Sequence, residues 1–252
     1  MSSDPTRRFG DRAGAYAKAR PSYPPEVFEF LARDFDLHAG QTGADLGSGT
    51  GISAALLLDR GLRVFAIEPN ADMRAKAEQT LGTRDGFISV DGRAESTTLI
   101  AASVDWVIAA QAFHWFDAEA VRAEVRRILR PGGCCALLWN ERQTNTTPFA
   151  SAYESFLVEW GNDYERVKAS YENPASIARV LGPHYTRRSF PHAQEMDLDL
   201  FRTRTQSASY MPRGDTPRGK AMMEALDVLF GRFQENGAVR FDYLTNLYCA
   251  RI

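Results

Sequence analysis

The sequence is short of several things, and each shortage excludes a class of protein. Its 252 residues include three cysteines, Cys134, Cys135 and Cys249, two of them adjacent and none in a C-x-x-C spacing. That argues against a disulfide scaffold and a cysteine zinc site, and predicts small core thiols in a reducing compartment. Lysine is scarce and scattered, at Lys18, Lys76, Lys168 and Lys220, and 30 Lys+Arg against 32 Asp+Glu give a formal net charge of −2. A protein that tracks a phosphate backbone needs a concentrated basic surface, so no nucleic-acid partner is expected. No apolar run approaches the roughly 18 residues of a membrane span. Nor does a run of the roughly 7 to 15 apolar residues that a signal peptide needs follow the Arg7-Arg8 pair. No membrane partner and a cytoplasmic location are the expectation. Internal repeats and low-complexity segments are lacking too. What remains is an ordinary globular composition, 44% hydrophobic and 25% charged, long enough for a single domain over 1–252 with a full core.

From residue 40 to 140 short apolar runs rich in β-branched residues alternate with helical periodicity, the pattern of stacked βαβ units. Strands are predicted at 42–46, 63–67, 87–90, 104–109 and 134–139, each apolar enough to be buried on both faces of a parallel sheet. Between them helices are predicted from Thr50 to Leu58, after Asn70 as N-cap, and from Asp117 to Leu129, the last terminated by Arg130-Pro131-Gly132-Gly133. Ahead of this core, a helix at 26–35 follows Arg20-Pro21-Ser22-Tyr23-Pro24-Pro25, whose prolines impose an extended path, so that 1–35 reads as a collar. Beyond the core at 36–142, residues 145–182 carry helical stretches in which Tyr153, Phe156, Leu157 and Trp160 read as a packing stripe. Strands at 184–190 and 238–250 flank a long helical region over 198–233.

The sharpest local feature is Ala44-Asp45-Leu46-Gly47-Ser48-Gly49-Thr50-Gly51, a strand running into a glycine turn that opens a helix. Glycines there allow positive φ and close approach of backbone to a ligand. Glu68 ends the second strand, 17 residues after Gly51, where a carboxylate can accept hydrogen bonds from a ribose diol at the carboxyl edge of the sheet. The loop is not the dinucleotide fingerprint G-x-G-x-x-G/A, because Ile52 stands at its last position, and it lacks the Gly-Lys-Ser/Thr ending of a P-loop.

Asp45-Leu46-Gly47-Ser48-Gly49-Thr50-Gly51 resembles motif I of the class I S-adenosylmethionine-dependent methyltransferases, and Ala66-Ile67-Glu68-Pro69-Asn70-Ala71-Asp72-Met73 resembles the acidic motif after their second strand. Gly92-Arg93-Ala94-Glu95, the stretch from Val104 through Gln111-Ala112-Phe113-His114-Trp115-Phe116, and Arg127-Ile128-Leu129-Arg130-Pro131-Gly132-Gly133 are similar to the motifs that follow. With Tyr16-x-x-x-Arg20-Pro21-Ser22-Tyr23-Pro24, the likeness narrows to the methyltransferase type 11 subgroup, which includes enzymes similar to trans-aconitate methyltransferase. The resemblance implies a doubly wound, Rossmann-like α/β sheet of seven strands in the order 3214576, last strand antiparallel, under a cap from 143–235 around strand six, with 238–252 as final strand. It implies S-adenosyl-L-methionine as cofactor and S-adenosyl-L-homocysteine as product. Gly47, Ser48 and Gly49 would face the methionyl part, Glu68 the ribose, Pro69 and Met73 the adenine, and Ala94 and Glu95 its amino edge. Asp45 would orient the loop, and Gln111 would lie under the sulfonium. Many relatives carry an Asp where this chain has Arg93, which cannot accept a hydrogen bond, so Glu95 or backbone must read the adenine.

The implied reaction is methyl transfer to a small molecule, a carboxylate or hydroxyl oxygen favoured. His114 is the residue placed to act as base if one is used, or else to shape the substrate pocket beside Trp115. Arg20 could clamp the carboxylate of cofactor or substrate. Tyr16, Tyr23, Trp115, Asn140, Arg142 and Tyr210 are expected around the substrate, and no metal is. Base-methylating enzymes usually show an Asn/Asp-Pro-Pro-aromatic motif where this chain reads Gln111-Ala112-Phe113-His114. A non-catalytic cofactor- or partner-binding protein would use the same glycine loop and stays open at this point, as does monomer against homodimer.

Overall fold

The apolar runs predicted as strands build one sheet. In the computed structural model, which describes residues 19–162, 164, 174–208 and 210–252, β1 is Thr42–Leu46, β2 Arg63–Ile67 and β3 Phe87–Val90, as their sequence patterns predict. β4 is Val104–Ala110, β5 Leu129–Arg142, β6 Thr186–Met196 and β7 Val239–Arg251. The seven strands lie in the order β3-β2-β1-β4-β5-β7-β6. β1 to β5 pair in parallel, and β7 runs antiparallel to both β5 and β6. The doubly wound seven-stranded fold implied by the motifs is therefore the one present.

Alternation along each central strand sends neighbouring side chains to opposite faces, and both faces are covered. Val107, Ala109, Cys135, Leu137 and Trp139 pack on one face against α4 (Ala118–Ile128) and α6 (Pro174–Leu181). Trp106, Ile108, Cys134, Ala136 and Leu138 pack on the other against α1 (Pro25–Phe35) and α2 (Ile52–Leu58). The three cysteines are buried, unoxidised core residues. Helix α3 (Ala71–Leu81) joins β2 to β3, capped by Asn70, whose side chain accepts from the Met73 amide. A separate cluster forms over the ends of β6 and β7, where α5 (Pro148–Trp160), α7 (Leu198–Ser207) and α8 (Pro217–Phe233) bring Tyr153, Phe156 and Leu157 against Phe201, Met222 and Phe241. Residues 174–181 belong to the sheet face rather than to this group.

Strand six, expected at 184–190, runs from Thr186 to Met196 along its whole pairing with β7, and three further boundaries differ from the sequence reading for a physical reason. Helix α2 begins at Ile52 and not Thr50, because Gly51 takes a left-handed conformation as its N-cap. Arg130-Pro131-Gly132-Gly133 does not separate helix from strand. Leu129 already pairs with Val104, and Cys134 with Trp106, so the four residues bulge out within β5. The region 198–233 is two helices, because α8 has its own start at Thr216, which caps Gly219, followed by Pro217. Tyr16, and residues 1–18 of the expected collar with it, lie outside the described residues. Among the described residues no helix is long and apolar enough to cross a membrane, and no cluster of His, Cys, Asp and Glu could hold a metal ion.

Candidate active site

β1 ends in the middle of the sheet and delivers the glycine loop to its carboxyl edge. Gly47 has φ +66°, and a Cβ there would meet the Ala112 Cβ at 2.7 Å. Gly49 has φ +56° and nothing within 4 Å of its missing side chain. The loop is tied to β2 by the amides of Gly47 and Ser48, which donate to the Ile67 carbonyl at 2.9 and 3.1 Å. Glu68 completes the tie, accepting from the Gly49 amide at 2.9 Å on one oxygen and from the Asn70 amide at 2.8 Å on the other. Each carboxylate oxygen retains a second lone-pair position, so these bonds leave room for a ligand hydroxyl. Burial raises the Glu68 carboxyl above its ordinary range, opposed by those two amides and by Arg74. Beneath the loop, the Asp45 carboxylate accepts from the Ser53 hydroxyl at 2.6 Å. Desolvation, only partly offset by Ser53, pushes the Asp45 carboxyl up to about 7. Asp45 lines neither of the two cavities beside the loop, so it positions the loop from below.

Two cavities open on this loop and share part of their lining. The smaller, about 130 Å³, is walled by Glu68, Pro69, Met73, Arg93, Ala94 and Glu95. The larger, about 510 Å³, includes Arg20, Tyr23, Ser48, His114, Asn140, Arg142 and Tyr210 in its lining. Gly47, Gly49, Gln111 and Trp115 line both. Thus every described residue expected at the site except Asp45 lines one or both of these cavities. The fit to an extended nucleoside cofactor is chemical as well as geometric. The smaller cavity combines the Glu68 carboxylate with the apolar surfaces of Met73 and Ala94. At the mouth of the loop, the Ser48 and Thr50 hydroxyls are buried without a hydrogen-bond partner among the described residues. Arg93 turns toward Glu95, 3.7 Å away, and Glu95 accepts from the Asp117 amide at 3.1 Å.

Gln111 sits where the cavities meet, with the strained φ of +58° for a non-glycine residue. Two hydrogen bonds hold it there, its amide to the Leu138 carbonyl at 2.8 Å and its side-chain Nε2 to the Asn140 carbonyl at 3.0 Å. His114 lies in a 3₁₀ turn, Phe113–Trp115, its ring 4.8 Å from that of Trp115. Burial lowers its imidazole to about 4, so the ring is neutral at neutral pH.

The far end of the larger cavity is built by β5, β7 and the helices above them. Asn140 donates to the Ser22 carbonyl at 3.1 Å, pinning the extended segment before α1, and accepts from the Thr245 hydroxyl. Arg142 Nη2 donates to Glu154 and to the Tyr164 hydroxyl oxygen, and the guanidinium lies 5.0 Å over the Tyr153 ring. Sequence reasoning missed Trp139, Thr144, Tyr164, Arg204 and Tyr243, which also line this space. The signal for Tyr243 was strand register, because Tyr243 pairs directly with Arg142.

Residues 44–137 match the family described as a methyltransferase domain. An uncharacterised methyltransferase of Mycobacterium tuberculosis is 41% identical over 143 residues, 55% of this chain and 54% of the relative, so the chain spans about half the length of that relative. An uncharacterised methyltransferase of Schizosaccharomyces pombe is 27% identical over 251 residues, 96% of each chain. Among solved structures, one described as a type II methyltransferase candidate from Anaeromyxobacter dehalogenans superposes with a TM-score of 0.64 at 24% identity, over 92% of this chain and 97% of that one.

Proposed function

We propose that this protein, whose residues 44–137 match a methyltransferase domain and whose strands follow the order β3-β2-β1-β4-β5-β7-β6, transfers a methyl group from S-adenosyl-L-methionine to a small-molecule acceptor, at a carboxylate or hydroxyl oxygen. The observation that carries the reading is Glu68, whose carboxylate braces the glycine loop and which lines the smaller of the two adjacent cavities. When bound, the cofactor supplies an electrophilic methyl carbon for in-line displacement. Chain residues supply the rest. Glu68 would accept from ribose hydroxyls, Gly49 leaves open space beside the loop, and Met73, Pro69 and Ala94 would hold the base against apolar surfaces. Alignment of acceptor and methyl carbon contributes most of the barrier reduction, on the order of 7 to 11 kcal/mol. His114 is neutral above about pH 5 and shapes the pocket beside Trp115. An ionised oxygen needs no proton removed. In this reading 1–35 is a collar, 36–142 the cofactor core, 143–235 the cap around strand six and 238–252 the final strand.

The test is calorimetric titration with S-adenosylhomocysteine, NAD as control, on the wild-type chain and a Glu68→Ala variant. Micromolar binding of S-adenosylhomocysteine alone, weakened at least about tenfold in the variant, is expected. Equal affinity in the variant, or preference for NAD, removes the assignment. Release of S-adenosylhomocysteine from the methylated cofactor in the presence of acceptors separates an enzyme from a binding protein.

A further inference from the structure

We propose that the acceptor carries an anionic group of the carboxylate class, seated on Arg142 Nη1 and the Tyr243 hydroxyl. This rests on the cofactor reading above and specifies the other end of the same site.

Arg142 and Tyr243 are direct cross-strand partners on β5 and β7. Their side chains therefore rise from the same face of the sheet with Cβ atoms about 4.5 to 5.5 Å apart. Both line the larger cavity. Each presents a buried polar atom, Arg142 Nη1 and Tyr243 OH, with no hydrogen-bond partner among the described residues. Buried polar atoms are almost always paired in folded proteins, so two neighbouring exceptions on one cavity wall need a cause.

Neither group is loose. The Arg142 side chain is 10% exposed, and its other terminal nitrogen is engaged by Glu154 and by Tyr164, whose hydroxyl in turn donates to Glu154 at 2.8 Å. This fixes the plane of the guanidinium and leaves Nη1 as its unused donor. Tyr243 is 2% exposed, and its ring stacks on His192 at 5.3 Å.

Donor chemistry selects the ligand. Among the described residues that line the cavity, Arg142 is already paired with Glu154 through its other terminal nitrogen, and Glu141 is the carboxylate. Glu141 itself accepts from the Asn246 side chain at 3.2 Å. A guanidinium N–H can only donate, and the hydroxyl completes a pair of donors, so the complement is a group with several acceptor positions. An ammonium group, which can only donate, would leave the guanidinium N–H unpaired. The aromatic walls from Trp115, Tyr164 and Tyr210 suit a flat, unsaturated body on that anion.

The experiment uses the full chain saturated with S-adenosylhomocysteine. It is titrated with benzoate, cinnamate and fumarate, and separately with benzamide, cinnamamide and fumaramide, in the wild type and in Tyr243→Phe and Arg142→Lys variants. Tyr243→Phe keeps the stacked ring and removes only the hydroxyl, so it tests the contact even if the arginine variant folds poorly. The expected result is that at least one acid binds, that its amide binds about tenfold more weakly, and that Tyr243→Phe weakens the acid by about tenfold while the affinity for S-adenosylhomocysteine is unchanged. Acids and amides binding alike, no acid binding to the loaded protein, or an acid affinity indifferent to Tyr243→Phe would each overturn the assignment. Failure of S-adenosylhomocysteine to bind before any acid is added overturns the cofactor reading, and this one with it.

Discussion

Gly47 and Gly49 share a positive φ but answer to different constraints. At Gly47 the backbone passes so close to Ala112 and Phe116 that a methyl group has no room, whereas at Gly49 the space is open. A Gly47→Ala variant combines left-handed strain with overpacking and is expected to lose about 3 kcal/mol. Gly49→Ala carries only the conformational part, about 1 kcal/mol. Urea melts of both variants check this, and equal losses would mean that the packing at Gly47 relaxes without cost. The glycines were legible because their spacing is a local signal. The burial of Asp45 was not, since adjacent sequence says nothing of the Ser53 hydroxyl that holds it or of the desolvation that pushes its carboxyl to about 7.

Glu124 on α4 shows how one element is fastened to its neighbours. Its carboxylate accepts from the Thr97 amide at 2.7 Å and from its hydroxyl, and takes two bonds from Arg127. The Arg127 bonds and those from Thr97 outweigh burial and bring the Glu124 carboxyl down to about 2. A carboxyl whose folded value is depressed contributes stability that is fully present above its unfolded value, near 4.5, and is lost as pH falls through about 2. Glu124→Gln is therefore expected to lower stability by about 2 kcal/mol at pH 7. In thermal melts from pH 7 to pH 2 the gap between variant and wild type should close at the acid end; a constant gap would mean that the carboxylate charge contributes nothing. Element ends with side-chain caps were readable. Asn70, expected as an N-cap, accepts from the Met73 amide at the start of α3. The bulge in β5 was not, because Pro-Gly-Gly stops a helix in any context and only pairing with β4 reveals a strand running through it.

At the scale of the molecule, the glycine loop, Glu68 and the Gln111–Trp115 segment all lie at the carboxyl edge of a parallel sheet, where order in sequence predicts proximity. The opposite wall does not follow that rule. Tyr243 reaches the cavity through antiparallel register with Arg142, a pairing about a hundred residues apart that no local pattern encodes. A ligand that binds only this assembled state must stabilise all of it. S-adenosylhomocysteine at 100 times its dissociation constant should add about 2.7 kcal/mol and raise the melting temperature by about 5 to 10 °C. Differential scanning calorimetry checks this, and no shift at saturating ligand would mean that the bound and unfolded forms hold it equally. The place of β7 between β5 and β6 also orders events in time. Those two strands share no hydrogen bonds with each other and are bridged by a segment translated after both. The ribosome therefore delivers the glycine loop early but leaves β5 and β6 unpaired on the sides that β7 fills, and the wall of the larger cavity is complete only once residues 239–251 have emerged. Until then it presents the unpaired strands that chaperones recognise.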